Sequence, residues 1–141
     1  MKVFEDEGTV IVVLEPGDKI IDSLKKIAKE KNINGYFKGI GAVKWAEIGY
    51  GDAKTGKYNI KRVTGGFEVL GLNGNITLVE TGEIIIHAHI LLGDREHRVL
   101  GGHLIEGEVS ITCEIFINRI KTKLQRERLG ETDFKVIKKQ I

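Results

Sequence analysis

The 141-residue chain is expected to fold as a compact single α+β domain, a mainly antiparallel β-sheet with one principal amphipathic helix. Three observations carry that expectation. Runs rich in Ile and Val alternate with glycine-bearing turn signals, as in strands joined by hairpins. Eighteen glycines stand against one proline, and proline breaks sheet ladders where glycine serves turns, bulges and close approaches. Only one segment has apolar residues at helical spacing.

Thr9 to Leu14 (TVIVVL) reads as a buried strand, broken by Glu15-Pro16-Gly17-Asp18. Asp18 is placed to cap a helix whose apolar positions are Ile20, Ile21, Leu24, Ile27 and Ala28, with lysines opposite. Asn32 to Gly35 ends it, because Asn and Gly tolerate the left-handed conformation. Tyr36 to Tyr50 is expected to be two strands about a glycine-bearing bend at Gly39-Ile40-Gly41. A dinucleotide-binding loop is excluded there: Lys44 stands where the third glycine belongs, and no helical pattern follows. Asp52 to Gly56 is a hairpin turn, followed by strands at Tyr58 to Val63 and Phe67 to Leu72. Asn73-Gly74 is the strongest hairpin signal in the chain. Asn75 to Glu80 returns, and Thr81-Gly82 turns into Glu83 to Leu92. After a turn at Gly93-Asp94-Arg95 the chain comes back over Val99 to Leu104, and Glu106-Gly107 breaks it. Glu108 to Ile120 alternates, with Val109, Ile111, Cys113, Ile115 and Ile117 on one face. Lys121 to Gly130 is expected to be a polar loop with a short helical turn, and Phe134 to Ile137 a last short strand.

Twenty-two basic and 20 acidic residues give a net charge of +2, interspersed without a like-charge block. That gives no support to direct nucleic-acid binding, and Lys44, Lys54, Lys57, Lys61 and Arg62 lack aromatic interleaving. A single cysteine excludes an internal disulfide and suits a reducing compartment. No apolar run approaches the roughly 18 residues of a membrane span, and no signal-peptide succession opens the chain. A cytoplasmic protein without membrane partners is expected.

The chemistry-bearing stretch is EIIIHAHILLGDREHRVLGGHLIE, Glu83 to Glu106. His87 and His89 are two residues apart in a strand, so both imidazoles project from one face, about 6 to 7 Å apart at the backbone. The alternative to a shared metal is a pair of hydrogen-bonded histidines on a solvated or interface face. The strand, however, is apolar on both faces and is expected to be buried on both. His103, on the returning strand, would complete three nitrogen ligands with a coordination position open, the pattern of catalytic zinc. That requires His103 to share their face. Opposing Gly93 to His97 places His87 across from His103; opposing Leu92 to Val99 turns His103 away unless Gly101-Gly102 forms a bulge. The sequence leaves both registers open. Glu106 is the candidate for proton transfer or for supporting a ligand, with a solvated turn residue as the alternative. Glu114 beside Thr112 has a supporting or a structural role, Cys113 is a small buried hydrophobe, and His97 belongs to the charged turn and is excluded.

These landmarks also resemble a known family. Glu15-Pro16-Gly17-Asp18, Gly39-Ile40-Gly41-Ala42, Gly49-Tyr50, Phe67-Glu68-Val69-Leu70, Gly74-Asn75-Ile76, His87-Ala88-His89, Gly101-Gly102-His103-Leu104, Glu106-Gly107 and Thr112-x-Glu114 occur in the order and spacing of a free-standing plants and prokaryotes conserved (PPC) domain. The resemblance covers about residues 9–118, with 119–141 as a C-terminal extension. It implies a homotrimer acting as a binding or assembly module of unknown partner. In plants the domain follows AT-hook motifs that bind DNA, and the Arg-Gly-Arg-Pro core of such a hook is absent here. The fold is similar to that of α-acetolactate decarboxylase, whose zinc is held by three histidines, which implies His87, His89 and His103 as ligands. The alternative function is a zinc-dependent enzyme on a small carbonyl or carboxylate substrate, with Glu106 moving the proton.

Overall fold

The apolar stripe of the helix and the apolar faces of the strands, each at the period of its own element, meet in one core. A computed structural model describes residues 1–141, with β1 (Lys2–Asp6), β2 (Thr9–Leu14), α1 (Ile20–Glu30), β3 (Gly35–Asp52), β4 (Lys57–Val79), β5 (Ile84–Gly93), β6 (Val99–Arg119), β7 (Leu124–Arg128) and β8 (Lys135–Gln140). The strands run in the order β1-β2-β6-β3-β4-β7-β8, and β5 pairs with both β4 and β6. Strands β3 to β6 therefore close on themselves. Every strand pairing is antiparallel except β4 with β7. The expected fold class is the one observed.

All five apolar residues of the α1 stripe are buried. They pack against Val10, Val12, Leu14, Ala88, Ile90, Leu104, Cys113, Ile115 and Ile117 in one contiguous core. Burying each large aliphatic side chain contributes roughly 1.5–3 kcal/mol, enough to hold an 11-residue helix that is too short to persist alone.

Five local expectations are corrected. Asp18 does not cap α1: its carboxylate accepts the Glu15 N–H at 2.9 Å, and Lys19 occupies the cap position without a side-chain bond. Asn73-Gly74 is no hairpin but the middle of β4, paired with β3 on one side and β5 on the other. A Cβ at Gly74 would lie 2.2 Å from the His87 carbonyl oxygen and 2.5 Å from the Phe37 ring, so this glycine provides space rather than a turn. Glu106-Gly107 does not end β6, which runs on to Arg119. Ile111 is 68% exposed, because between the pairs Gly41 with Cys113 and Val43 with Val109 the longer stretch of β6 bulges away from β3. The charged tail forms β7 rather than a helical turn.

The Gly39-to-Gly41 segment is the anticipated irregularity, a register shift within a continuous β3. Strand β1 went unforeseen, since KVFED is short, charged and almost wholly exposed at the sheet edge.

Gly74→Ala is expected to lower stability by about 2 kcal/mol or more through overpacking, read from the denaturant midpoint. Gly71→Ala, where the nearest atoms are 3.8 and 4.0 Å from the built Cβ, is expected to stay within about 1 kcal/mol.

Candidate metal centre

The hairpin of β5 and β6 builds the site. On β5, Ile86, Ala88, Ile90 and Leu92 enter the core. His87 and His89 lie on the other face, half-buried and exposed respectively, and Leu91 beside them is 51% exposed. The expectation of burial on both faces therefore holds for one face only.

The register opposes Gly93 to Val99 and His89 to His103. His103 thus shares the face of the pair, across from His89 rather than His87. No bulge at Gly101-Gly102 is involved. A Cβ on Gly101 would lie 2.3 Å from the Ile90 carbonyl oxygen, and one on Gly102 2.8 Å from that of Gly49, so both glycines permit close strand approach. The Asp94 carboxylate sets the turn by accepting the N–H groups of Glu96 and Arg98, each at 2.9 Å. His97 sits exposed in that turn at φ 63°, outside the cluster, as expected.

The three imidazoles converge. Ring centroids are separated by 5.2 Å for His87–His89 and His87–His103, and by 5.6 Å for His89–His103. One nitrogen from each lies within 4.8 Å of the others. Nδ1 of His103 is buried without a hydrogen-bond partner, an arrangement that is costly unless something else satisfies the atom. The Tyr58 ring packs on His103 at 4.7 Å and is itself braced edge-on by Phe134 at 5.0 Å.

Burial, reinforced by the neighbouring histidines and Arg126, pushes His103 down to about 4. Burial and then Arg126 lower His87 as well. Both imidazoles are therefore neutral near pH 7, the form that binds a metal.

Sequence reasoning missed Arg126, on β7. It is 4% exposed and forms no ion pair. Its Nε donates to Thr77 Oγ1 at 2.8 Å, Nη1 to the Lys135 carbonyl at 2.7 Å and Nη2 to Asn75 Oδ1 at 2.7 Å. Nη2 also lies 3.3 Å from His87 Nδ1. Nothing in LQRER marks the arginine as buried; the polar Asn75 and Thr77, alternating on β4, are the faint signal of a partner there.

Two cavities meet at the histidines. One of about 160 Å³ is lined by Tyr58, His87, His103, Arg126, Asp133 and Lys135 among others. The other, about 400 Å³, opens over His87, His89 and His103 beside Tyr50, Tyr58 and Phe134.

Glu106 lines neither cavity. Its Oε1 accepts the N–H groups of Ile21 and Gly107 at 2.9 Å, and its Oε2 accepts that of Asp22 at 3.1 Å. The carboxylate offered by the sequence for proton transfer is the cap of α1, where a negative charge also complements the helix dipole. Cys113 is fully buried and its thiol is pushed up to about 12 by burial, as befits a hydrophobe. Glu114 is exposed and lines a separate outer groove with Ile40 and Ile111. Lys44 is paired with Glu108 at 2.9 Å, and Arg62 pairs with Glu47 at 2.7 Å while stacking over Trp45.

The family model of the Plants and Prokaryotes Conserved (PCC) domain matches residues 1–121. The chain belongs to this family. Among solved structures, this PPC-family chain is similar to a metal-containing protein from Archaeoglobus fulgidus, with 31% identity and a TM-score of 0.85 over 99% of this chain and 100% of that one. It is similar to a candidate DNA-binding protein from Ralstonia eutropha, with 27% identity and a TM-score of 0.89 over 97% and 95%. A protein from Staphylococcus aureus similar to α-acetolactate decarboxylase shares the fold alone, at 17% identity and a TM-score of 0.56; the match covers 89% of this chain and 56% of that one. No curated protein matches the chain.

Glu106→Gln is expected to cost about 1–2 kcal/mol of stability through the weakened cap, read by denaturant unfolding. Metal content should be unchanged, and a loss of metal without a loss of stability would contradict the capping role.

Proposed function

We propose that this PPC-family protein is a homotrimeric binding module built around a three-histidine divalent-metal centre, with zinc the ion its donors suit. The observation that carries the reading is the convergence of three imidazole nitrogens within 4.8 Å of one another. The donor chemistry fits: neutral nitrogen ligands without thiolate or carboxylate match zinc sites that keep a position open. The buried, unpartnered nitrogen of His103 fits as well, since coordination would satisfy it. The similar Archaeoglobus fulgidus protein is named as metal-containing, which supports the same reading.

His87, His89 and His103 would hold the ion. Tyr58, wedged between His103 and Phe134, fixes the His103 ring plane. The three-fold assembly rests on the family resemblance. It is supported by an apolar outer groove of about 480 Å³ edged by Ile40, Leu70 and Ile111, which are 59%, 51% and 68% exposed. Direct DNA contact is not part of the proposal despite the name of the Ralstonia relative. The net charge is only +2, and Lys44, Arg62, Arg98 and Arg119 are paired with carboxylates.

A second reading, a zinc-dependent enzyme acting on a small carbonyl or carboxylate, is favoured by the cavity of about 400 Å³ over the histidines. A bound zinc would supply Lewis-acid polarisation of a carbonyl or activation of water.

Metal analysis of chelator-washed protein reloaded with zinc is expected to give roughly one zinc per chain. His87→Ala should lose it and His97→Ala should keep it. Absence of stoichiometric zinc in the parent would remove the centre, and retention in His87→Ala would move it elsewhere. Sedimentation of the same sample should give the mass of three chains, and a monomer would remove the assembly reading.

A further inference from the structure

Arg126 presents an unusual electrostatic situation. A guanidinium is the side chain least able to shed its charge, and buried charges are ordinarily paired. Here every hydrogen bond it makes goes to a neutral acceptor: Thr77 Oγ1, the Lys135 carbonyl, Asn75 Oδ1 and the His87 ring. Asp133 lines the same cavity, but it is solvent-exposed and makes no ion pair with Arg126.

The contact with His87 is conditional. A guanidinium only donates, so Nδ1 of His87 must offer its lone pair to Nη2. If His87 binds a cation through Nδ1, that lone pair is used. If it binds through Nε2, the imidazole proton moves to Nδ1 and faces another donor. In either geometry Nη2 keeps its bond to Asn75 Oδ1 but loses its second acceptor at the moment a positive ion arrives beside it. One of the two Nη1 hydrogens has no protein acceptor either, since Nη1 makes a single bond, to Lys135. Three neutral imidazoles contribute no negative charge. The loaded site would therefore hold a divalent cation and a guanidinium, and the one carboxylate lining the cavity, the exposed Asp133, is paired with neither Arg126 nor the histidines.

Resting on the metal reading above, we propose that Arg126 is an anion-binding residue of this centre and that the ligand taken there is a small carboxylate. A planar carboxylate matches a guanidinium fork and carries the charge the loaded site lacks. A cavity of about 160 Å³ between His87, His103, Tyr58 and Arg126 suits a ligand of a few atoms. The hairpin of β7 and β8 that supplies the arginine lies beyond residue 121, where the family match ends. In this account it serves as the ligand-selecting part of the site.

The test uses pyruvate as the carboxylate probe and acetone as its uncharged counterpart, titrated into the zinc-loaded full chain and followed by ligand-observed NMR. Pyruvate is expected to bind, acetone not, and Arg126→Gln to weaken pyruvate by about tenfold or more with zinc content unchanged. Lys138→Gln, which removes an exposed cation of the same β8 strand that lines neither cavity, should change affinity by less than about threefold. Equal pyruvate affinity in the parent and Arg126→Gln, or acetone binding as well as pyruvate, overturns the proposal. If Arg126→Gln does not fold, Arg126→Lys carries the same readout. It keeps the charge and loses the fork, so pyruvate should weaken by about threefold or more, and unchanged affinity overturns the proposal. Zinc content of the parent, measured first, reads the metal centre separately. If no zinc is held, the same titration of metal-free protein decides: Arg126-dependent binding sustains the anion site, and its absence overturns it.

Discussion

The candidate centre depends on the parity of one strand register. Side chains alternate across a sheet with a period of two, so a one-residue slip of β6 against β5 would send His103 into the core and bring Leu104 out. The slip is prevented at the turn. Asp94 ties the N–H groups of Glu96 and Arg98 and the Arg98 side chain to one carboxylate. The bond from the Arg98 amide holds that carboxyl below its ordinary range, so the clamp is anionic near neutral pH. Core burial of Ala88, Ile90, Leu92 and Leu104 on the opposite face enforces the same parity from within.

The two faces of this hairpin divide the labour. One is committed to the core and to α1, whose otherwise unpaired helix-start amides at Ile21 and Asp22 are satisfied by Glu106 from the same strand that carries His103. The other collects groups that a core would not tolerate: three imidazoles, a phenol and a guanidinium. Burial keeps His103 neutral, and β7, which joins β4 in the one parallel pairing, closes that side by bringing Arg126 against His87. Stability and chemistry therefore share β6, alternate residues serving each.

What was legible in the sequence was periodic. The helix stripe from Ile20 to Ala28, the alternation about Cys113 and the spacing of His87 and His89 each follow from one repeat, and each appears in the structure. What was not legible depended on contacts distant in the chain. Asn73-Gly74 has the composition of a turn, but Gly74 is required by the Phe37 ring and the His87 carbonyl, which no local reading supplies. Glu106 has the composition of a catalytic carboxylate, but its partners are amides some 85 residues earlier. Ile111 follows its neighbours' alternation until a bulge against β3 removes it from the core. Arg126 sits in a charged tail whose burial is decided by Asn75 and Thr77. Parity of the hairpin lay between these cases: the sequence narrowed it to alternatives, and the turn chemistry of Asp94 decided it.

The central claim is that this parity creates a metal centre of three imidazoles. X-ray absorption at the zinc edge of the reloaded protein addresses it most directly. The expected spectrum has a first shell of nitrogen and oxygen scatterers only, at about 2.0–2.1 Å, with outer-shell scattering from three imidazole rings. A sulfur scatterer near 2.3 Å, which would require Cys113 to leave the core, or a shell of oxygen without imidazole, would contradict it.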